Sequence, residues 1–168
     1  MTAEAMNFDN KMGEALSHLN EGKTLEGFKA IDESTMNGIY SIAYRYYQVG
    51  RYEEAMRLFQ FLCLYDHLNV RYFKALAAAQ FMLKEYKHAV AVYSFCYLLD
   101  KDNPEYPFQS GLCHLAMGQL DEAESGFYAA SLWGENENDH PGMKAKANAM
   151  LALAKRKKAI KSETKTVH

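Results

Sequence analysis

The sequence predicts an all-α protein: three tandem helix–turn–helix units, flanked by an N-terminal helical region and a C-terminal capping helix. Two observations predict it. Between Met36 and Glu137, five columns stand in register every 34 positions: Gly50, Lys84 and Gly118 at a turn; Tyr52, Tyr86 and Leu120; Ala55, Ala89 and Ala123; Phe59, Tyr93 and Phe127; and, upstream, Ala43, Ala77 and Gly111. No insertion breaks that register. Small residues at two fixed positions let paired helices approach closely, and the aromatic four residues after the second covers the contact. Such a unit cannot bury its apolar face alone, so it stacks on its neighbours.

The elements follow in order. Residues 1–7 are expected to be disordered. In the N-terminal helical region, 8–33, Phe8, Met12, Ala15, Leu16 and Leu19 fall on one helical stripe, and Gly22 ends it. The first unit, 36–69, opens behind an N-cap at Ser34 or Thr35, with Asp32 and Glu33 near the positive helix end. Its helix A runs to about Val49, Gly50-Arg51 turns, and helix B runs from Tyr52 to about Tyr65. The second unit, 70–103, repeats the design over Val70 to Leu83 and Tyr86 to Leu99. The third, 104–137, opens with Pro104, permitted in a first helical turn because its missing N–H has no partner there. It turns at Gly118-Gln119 and resumes from Leu120 to about Trp133. After a polar loop and Pro141, a capping helix spans 141–161, with 162–168 expected to be disordered. The basic stretch Lys155 to Lys161 complements the dipole at a helix C-terminus and keeps the end soluble.

Composition narrows the function. A chain of 168 residues, 49% apolar and 24% charged, buries a substantial core within one domain. A net charge of -2 argues against nucleic acid as a partner. No run of about 18 apolar residues offers a membrane span, and the first residues lack the basic-then-apolar order of a signal peptide. A cytoplasmic protein, with no direct membrane insertion, is expected. Cys63, Cys96 and Cys113 each fall within a helical pattern and read as small core residues. Cys113 and His114 are adjacent, about 100° apart on a helix, so no metal site is expected. No phosphate loop, nucleophile elbow or His-Glu-x-x-His pair is present. The reading is a binding protein without catalytic residues, metal or cofactor, and not an enzyme.

The candidate binding face comes from residues that helix pairing does not need. In the first unit Ile39, Ile42, Ala43 and Tyr46 face helix B, which leaves Tyr40, Tyr44 and Tyr47 on another stripe. The second unit continues it with Lys74, Ala78, Phe81 and Met82, the third with Phe108, Leu112 and Leu115. In stacked helix pairs the A helices line a concave surface, so these residues should meet in one groove. Tyrosine offers a flat apolar ring and a hydroxyl, the mixture that grips an extended peptide by side chains and backbone together.

These residues also carry a family resemblance. The period and its small/aromatic order are those of the tetratricopeptide repeat. More narrowly, GIYSIAYRYYQVGRYEEAMRLFQFLCLYDHLN, YSFCYLLDKDNPEYPF and GLCHLAMGQLDEAESGF resemble the class II chaperones of bacterial type III secretion, with the Leu-Cys-x-x-Asp-His segment at Leu62 to His67 among the most specific parts. The resemblance implies hydrophobic translocators as partners, gripped through a Pro-x-Leu-x-x-Pro-type segment and kept soluble before export. It maps the groove aromatics onto Tyr40, Tyr44, Tyr47 and Tyr52, and it implies a homodimer. Lys84 departs from the family's glycine at the second turn. The rival reading is a generic repeat adaptor joining two cytoplasmic proteins, whose groove would be richer in Lys, Arg and Asn.

A self-association surface is a further expectation. Phe61, Leu64 and Tyr65 lie off the inward face of their helix, which uses Ala55, Phe59 and Leu62. Either Phe8, Met12, Leu16 and Leu19 fold back over this patch, or two chains pack through it or through the N-terminal helix, since a two-fold interface is self-complementary.

Overall fold

The computed structural model describes residues 32–134 and 140–166. Among them are seven helices and no strand: α1 (Glu33–Gln48), α2 (Tyr52–Tyr65), α3 (Val70–Met82), α4 (Tyr86–Leu99), α5 (Glu105–Ala116), α6 (Leu120–Trp133) and α7 (Met143–Thr166). The all-α class and the repeated helix–turn–helix order are as predicted. The chain divides into two compact units, Met1–Asn37 and Gly38–His168, and the second holds the helix pairs. The expected stripe of Phe8, Met12, Leu16 and Leu19 lies outside the described residues.

The 34-residue columns become the core. Ala43, Ala77 and Gly111 are buried, as are Ala55, Ala89 and Ala123 at 0% exposure. Phe59, Tyr93 and Phe127 fill the space those small residues leave. Consecutive helices pack from α2 to α7, and α7 also meets α5, so the last helix occupies the place a further A helix would take. Ala147 and Ala154 give α7 its buried edge.

Each intra-unit turn is one device used three times. Gly50, Lys84 and Gly118 take φ of 81°, 63° and 73°. Their N–H groups reach back three residues to Tyr47, Phe81 and Leu115, and the next N–H reaches back five, to Tyr46, Gln80 and His114. This paired closure satisfies carbonyls that a helix end otherwise leaves open. Lys84 adopts the left-handed conformation despite its Cβ.

The connectors between units carry a motif that the sequence reading did not extract. The Asn69 amide donates to Asp66 Oδ2 at 3.2 Å, and the Asn103 amide to Asp100 Oδ2 at 2.8 Å. Tyr106 Oη also donates to Asp100 Oδ2, at 2.7 Å. Asp66/Asp100, Asn69/Asn103 and Tyr72/Tyr106 are themselves 34 apart, so the signal was present in the spacing.

Two boundaries differ from expectation. Helix α1 begins at Glu33 rather than after Ser34 or Thr35, because Asp32 Oδ1 accepts the Thr35 N–H at 2.7 Å and so caps the helix. Helix α7 continues to Thr166, past the expected end at 161. Its run of Ala, Lys and Arg favours helix intrinsically. Its lysines also do more than complement a dipole: Lys158 pairs with Asp121 and with Glu124, and Lys155 lies 3.8 Å from Glu124. Those carboxylates belong to the opening turns of α6, and that neighbour was invisible in the one-dimensional pattern.

Candidate functional site

The candidate site lies in the Gly38–His168 unit and starts from α1. Residues 40, 44 and 47 project along one side of a helix because they are four and three apart. Tyr40 stacks on Tyr44 with ring centroids 6.3 Å apart, Tyr44 on Tyr47 at 6.4 Å, and Tyr47 meets Tyr52 of α2 edge-on at 5.3 Å. Four tyrosines singled out in the sequence thus form one continuous chain of rings.

Their burial differs, and so do their roles. Tyr40 is half-buried, with its ring 5.6 Å from Phe59 and 5.9 Å from Tyr72, and the Arg71 guanidinium sits 3.8 Å from its centroid. A cation over an aromatic face adds attraction beyond area burial. Tyr40 therefore joins the core of its unit to the candidate face. Tyr44 is 46% exposed and has no such anchor, so its ring is open to a ligand. Around Tyr47, burial first, then the neighbouring Tyr52 and Tyr44 phenols, push the phenol above its ordinary range. Tyr47 stays a neutral donor.

On α3 the polar and apolar contributions separate. Lys74 Nζ pairs with Glu105 Oε2 at 2.9 Å, tying α3 to α5. Ala78 presents only a methyl group, Met82 is 39% exposed, and Phe81 rests edge-on against Tyr86 at 5.4 Å. Phe81 also packs on the core formed by Ala77, Ala89, Tyr93 and Cys96.

The α5 residues are placed differently from the tyrosines. Phe108 lies 5.7 Å from Phe127, and Phe108, Leu112 and Leu115 all pack on the cluster of Ala123, Phe127 and Ala154, with Met150 and Leu151 of α7. All three are half-buried, and their main contact is with the last two helices. Periodicity had placed them on the candidate stripe without showing that they also meet a cluster shared by α6 and α7.

Of the patch considered for self-association, Phe61 and Tyr65 stack at 6.4 Å and are half-buried, while Leu64 is 56% exposed. The three cysteines are buried free thiols. Burial pushes Cys63 and Cys96 up to about 12 and Cys113 up to about 11. Among the described residues no group of His, Cys, Asp and Glu is placed to hold a metal ion.

Comparison with known proteins agrees with the fold. The tetratricopeptide repeat family model matches residues 36–69 and 72–103. The low calcium response locus protein H of Yersinia pestis is 33% identical over 147 residues, covering 88% of this chain and 88% of that protein. PcrH, a Pseudomonas aeruginosa protein solved in complex with the chaperone binding region of PopD, is 37% identical with a TM-score of 0.73, covering 78% of this chain and 98% of PcrH. The Yersinia enterocolitica type III secretion chaperone SycD, solved with a peptide of the translocator YopD, is 35% identical with a TM-score of 0.71, covering 77% and 99%. SycD is also known as an alternative dimer. Extent, identity and fold agree, and this chain belongs to the tetratricopeptide-repeat family of type III secretion translocator chaperones.

Proposed function

We propose that this protein is a bacterial cytoplasmic chaperone that holds hydrophobic type III secretion translocators soluble and apart before export, gripping an extended segment of Pro-x-Leu-x-x-Pro type along the α1, α3 and α5 face. The observation that carries the reading is the chain of rings Tyr40–Tyr44–Tyr47–Tyr52, open at Tyr44, in a protein whose relatives PcrH and SycD bind translocator regions. Aromatic faces take the apolar side chains of an extended segment, and phenol hydroxyls take its backbone groups. Lys74, Ala78, Phe81 and Met82 continue the groove, and Phe108, Leu112 and Leu115 contribute the edges that α7 leaves open.

The work is binding rather than catalysis. A translocator's apolar segments would self-associate if left exposed in water. Holding a neighbouring short segment keeps the partner monomeric while requiring only a modest contact area. Modest affinity also lets the cargo leave at the export gate. Among the described residues no helix is long and apolar enough to cross a membrane, which fits a carrier that hands its cargo on. The three units, 36–69, 70–103 and 104–137, then act with the capping helix as one binding domain.

The decisive experiment is co-purification from the native bacterium with identification of the partner. A protein with long apolar segments is expected; a folded soluble enzyme would overturn the reading in favour of an adaptor.

The reading includes a homodimer through Phe61, Leu64 and Tyr65, or through the N-terminal region with Phe8, Met12, Leu16 and Leu19. The exposure of Leu64 and the dimer known for SycD support it. Leu64→Glu should yield folded monomers in sedimentation velocity. A wild type already monomeric at tens of micromolar removes the dimer.

A further inference from the structure

Charge is spread unevenly along this chain. Residues 155–168 hold six of the 19 Lys and Arg and one of the 21 Asp and Glu, a charge of +5. The residues before them, with 13 basic and 20 acidic side chains, carry -7. Local roles do not account for the basic excess. The helix dipole is felt within the last turn, and α7 ends at Thr166, about two turns beyond Lys155, Arg156, Lys157 and Lys158. Ion pairing takes up Lys155 and Lys158, on Asp121 and Glu124. Arg156 and Lys157 have no ion-pair partner among the described residues.

The end of α7 also outruns its neighbour. A Cβ at Gly134, just past the end of α6, would stand 3.1 Å from Lys144 N near the start of α7. Lys158 meets Asp121 at the opposite end of α6. The two helices are therefore antiparallel, and α6 opens at Leu120. Residues 159–166 run past that opening, about 12 Å of helix. Ala159, Ile160, Lys161 and Ser162 are all exposed.

The pattern says what this arm meets. Four consecutive basic residues, 100° apart, encircle the helix rather than mark one side. Five of the six cations are Lys, a point charge, whereas the planar fork of Arg suits a fixed carboxylate on a protein. Both features match a diffuse negative surface. Leu153 and Ile160, 39% and 52% exposed, lie seven apart on one side of α7, and Arg156 and Lys157 flank them. Exposed apolar side chains between cations suit the headgroup boundary of a bilayer. A nucleic-acid backbone offers them nothing.

We infer that the end of α7 is a docking arm for an anionic phospholipid surface, held there by headgroup charge without insertion of a span. The same surface repels the -7 carried by the rest of the chain, which keeps the contact reversible. The inference does not depend on the cargo groove, whose residues lie on α1, α3 and α5.

The test is flotation of the full chain with vesicles of phosphatidylcholine, alone or with about one-third phosphatidylglycerol. The wild type should float with the anionic vesicles only, and raised salt should release it. Arg156→Gln with Lys157→Gln should lower partitioning about thirtyfold at an unchanged thermal midpoint. A wild type that ignores anionic vesicles, or floats equally with neutral ones, overturns the inference whether or not the variant folds. A folded double variant that floats as well as the wild type overturns it too. Binding of duplex DNA or of polyglutamate at a salt concentration that releases the vesicles also overturns it, and assigns the arm to a nucleic acid or an acidic protein.

Discussion

Gly126 of α6 and Gly111 of α5 meet backbone to backbone: a Cβ at Gly126 would stand 3.1 Å from Gly111 Cα and 2.8 Å from the Pro107 carbonyl oxygen. The corresponding positions in the other units hold Leu58 and Val92, so this contact belongs to the third unit alone. Alanine ordinarily gains about 1 kcal/mol over glycine inside a helix. Here Gly126→Ala should instead cost about 1–3 kcal/mol, because a backbone carbonyl cannot turn aside. Gly111→Ala should cost less, since its Cβ would meet the Phe127 ring, 2.8 Å away, and a ring can tilt. Urea unfolding of both variants measures the order; a stabilised Gly126→Ala would refute it.

The three turns give a pair of changes with opposite signs. Gly118 has φ of 73° and open space around its missing Cβ, so Gly118→Ala should lose about 1 kcal/mol through backbone strain alone. Lys84 already bears that strain at 63°. Lys84→Gly should therefore stabilise, by only about 0.5 kcal/mol, because glycine also enlarges the unfolded ensemble. Thermal midpoints moving in the same direction would contradict the turn assignment.

The tyrosines divide into anchor and contact. Tyr40 holds Phe59, Tyr72 and Arg71 together, so Tyr40→Ala should lower stability by about 2–4 kcal/mol as well as weaken cargo binding. Tyr44→Ala should weaken binding by about 2 kcal/mol with little change in thermal midpoint, since Tyr44 is 46% exposed. Paired calorimetry and thermal melts separate the two. Equal stability losses would mean that Tyr44 is structural.

Stability should fall at high pH. The ordinary thiol value is 9.0, and the folded protein holds Cys63 and Cys96 up to about 12 and Cys113 up to about 11. Between these limits the unfolded chain has released protons that the folded one keeps. The unfolded state binds fewer protons there, so stability decreases as pH rises. Full stability holds below about pH 9, and each thiol removes on the order of 1 kcal/mol per pH unit above it. Urea midpoints from pH 7 to 11 should show this, and Cys63→Ala should make the slope shallower. Native thiols should also resist alkylation at pH 8, where unfolded chain reacts.

Spacing by itself determined the units, their turns and the small/aromatic core, since a 34-residue period constrains every column in the same way. It also placed Tyr40, Tyr44 and Tyr47 on one stripe, because helical geometry fixes which residues are neighbours. Only the tertiary structure decided what each stripe faces. Tyr40 became an anchor because Tyr72 and Arg71 arrive from α3, and Phe108, Leu112 and Leu115 also pack on a cluster to which α6 brings Ala123 and Phe127 and α7 brings Ala154. Lys158 found Asp121 and Glu124 for the same reason. A helix's periodicity states which side is apolar; the partner that arrives against that side comes from residues far along the chain, through contacts that a one-dimensional period does not encode.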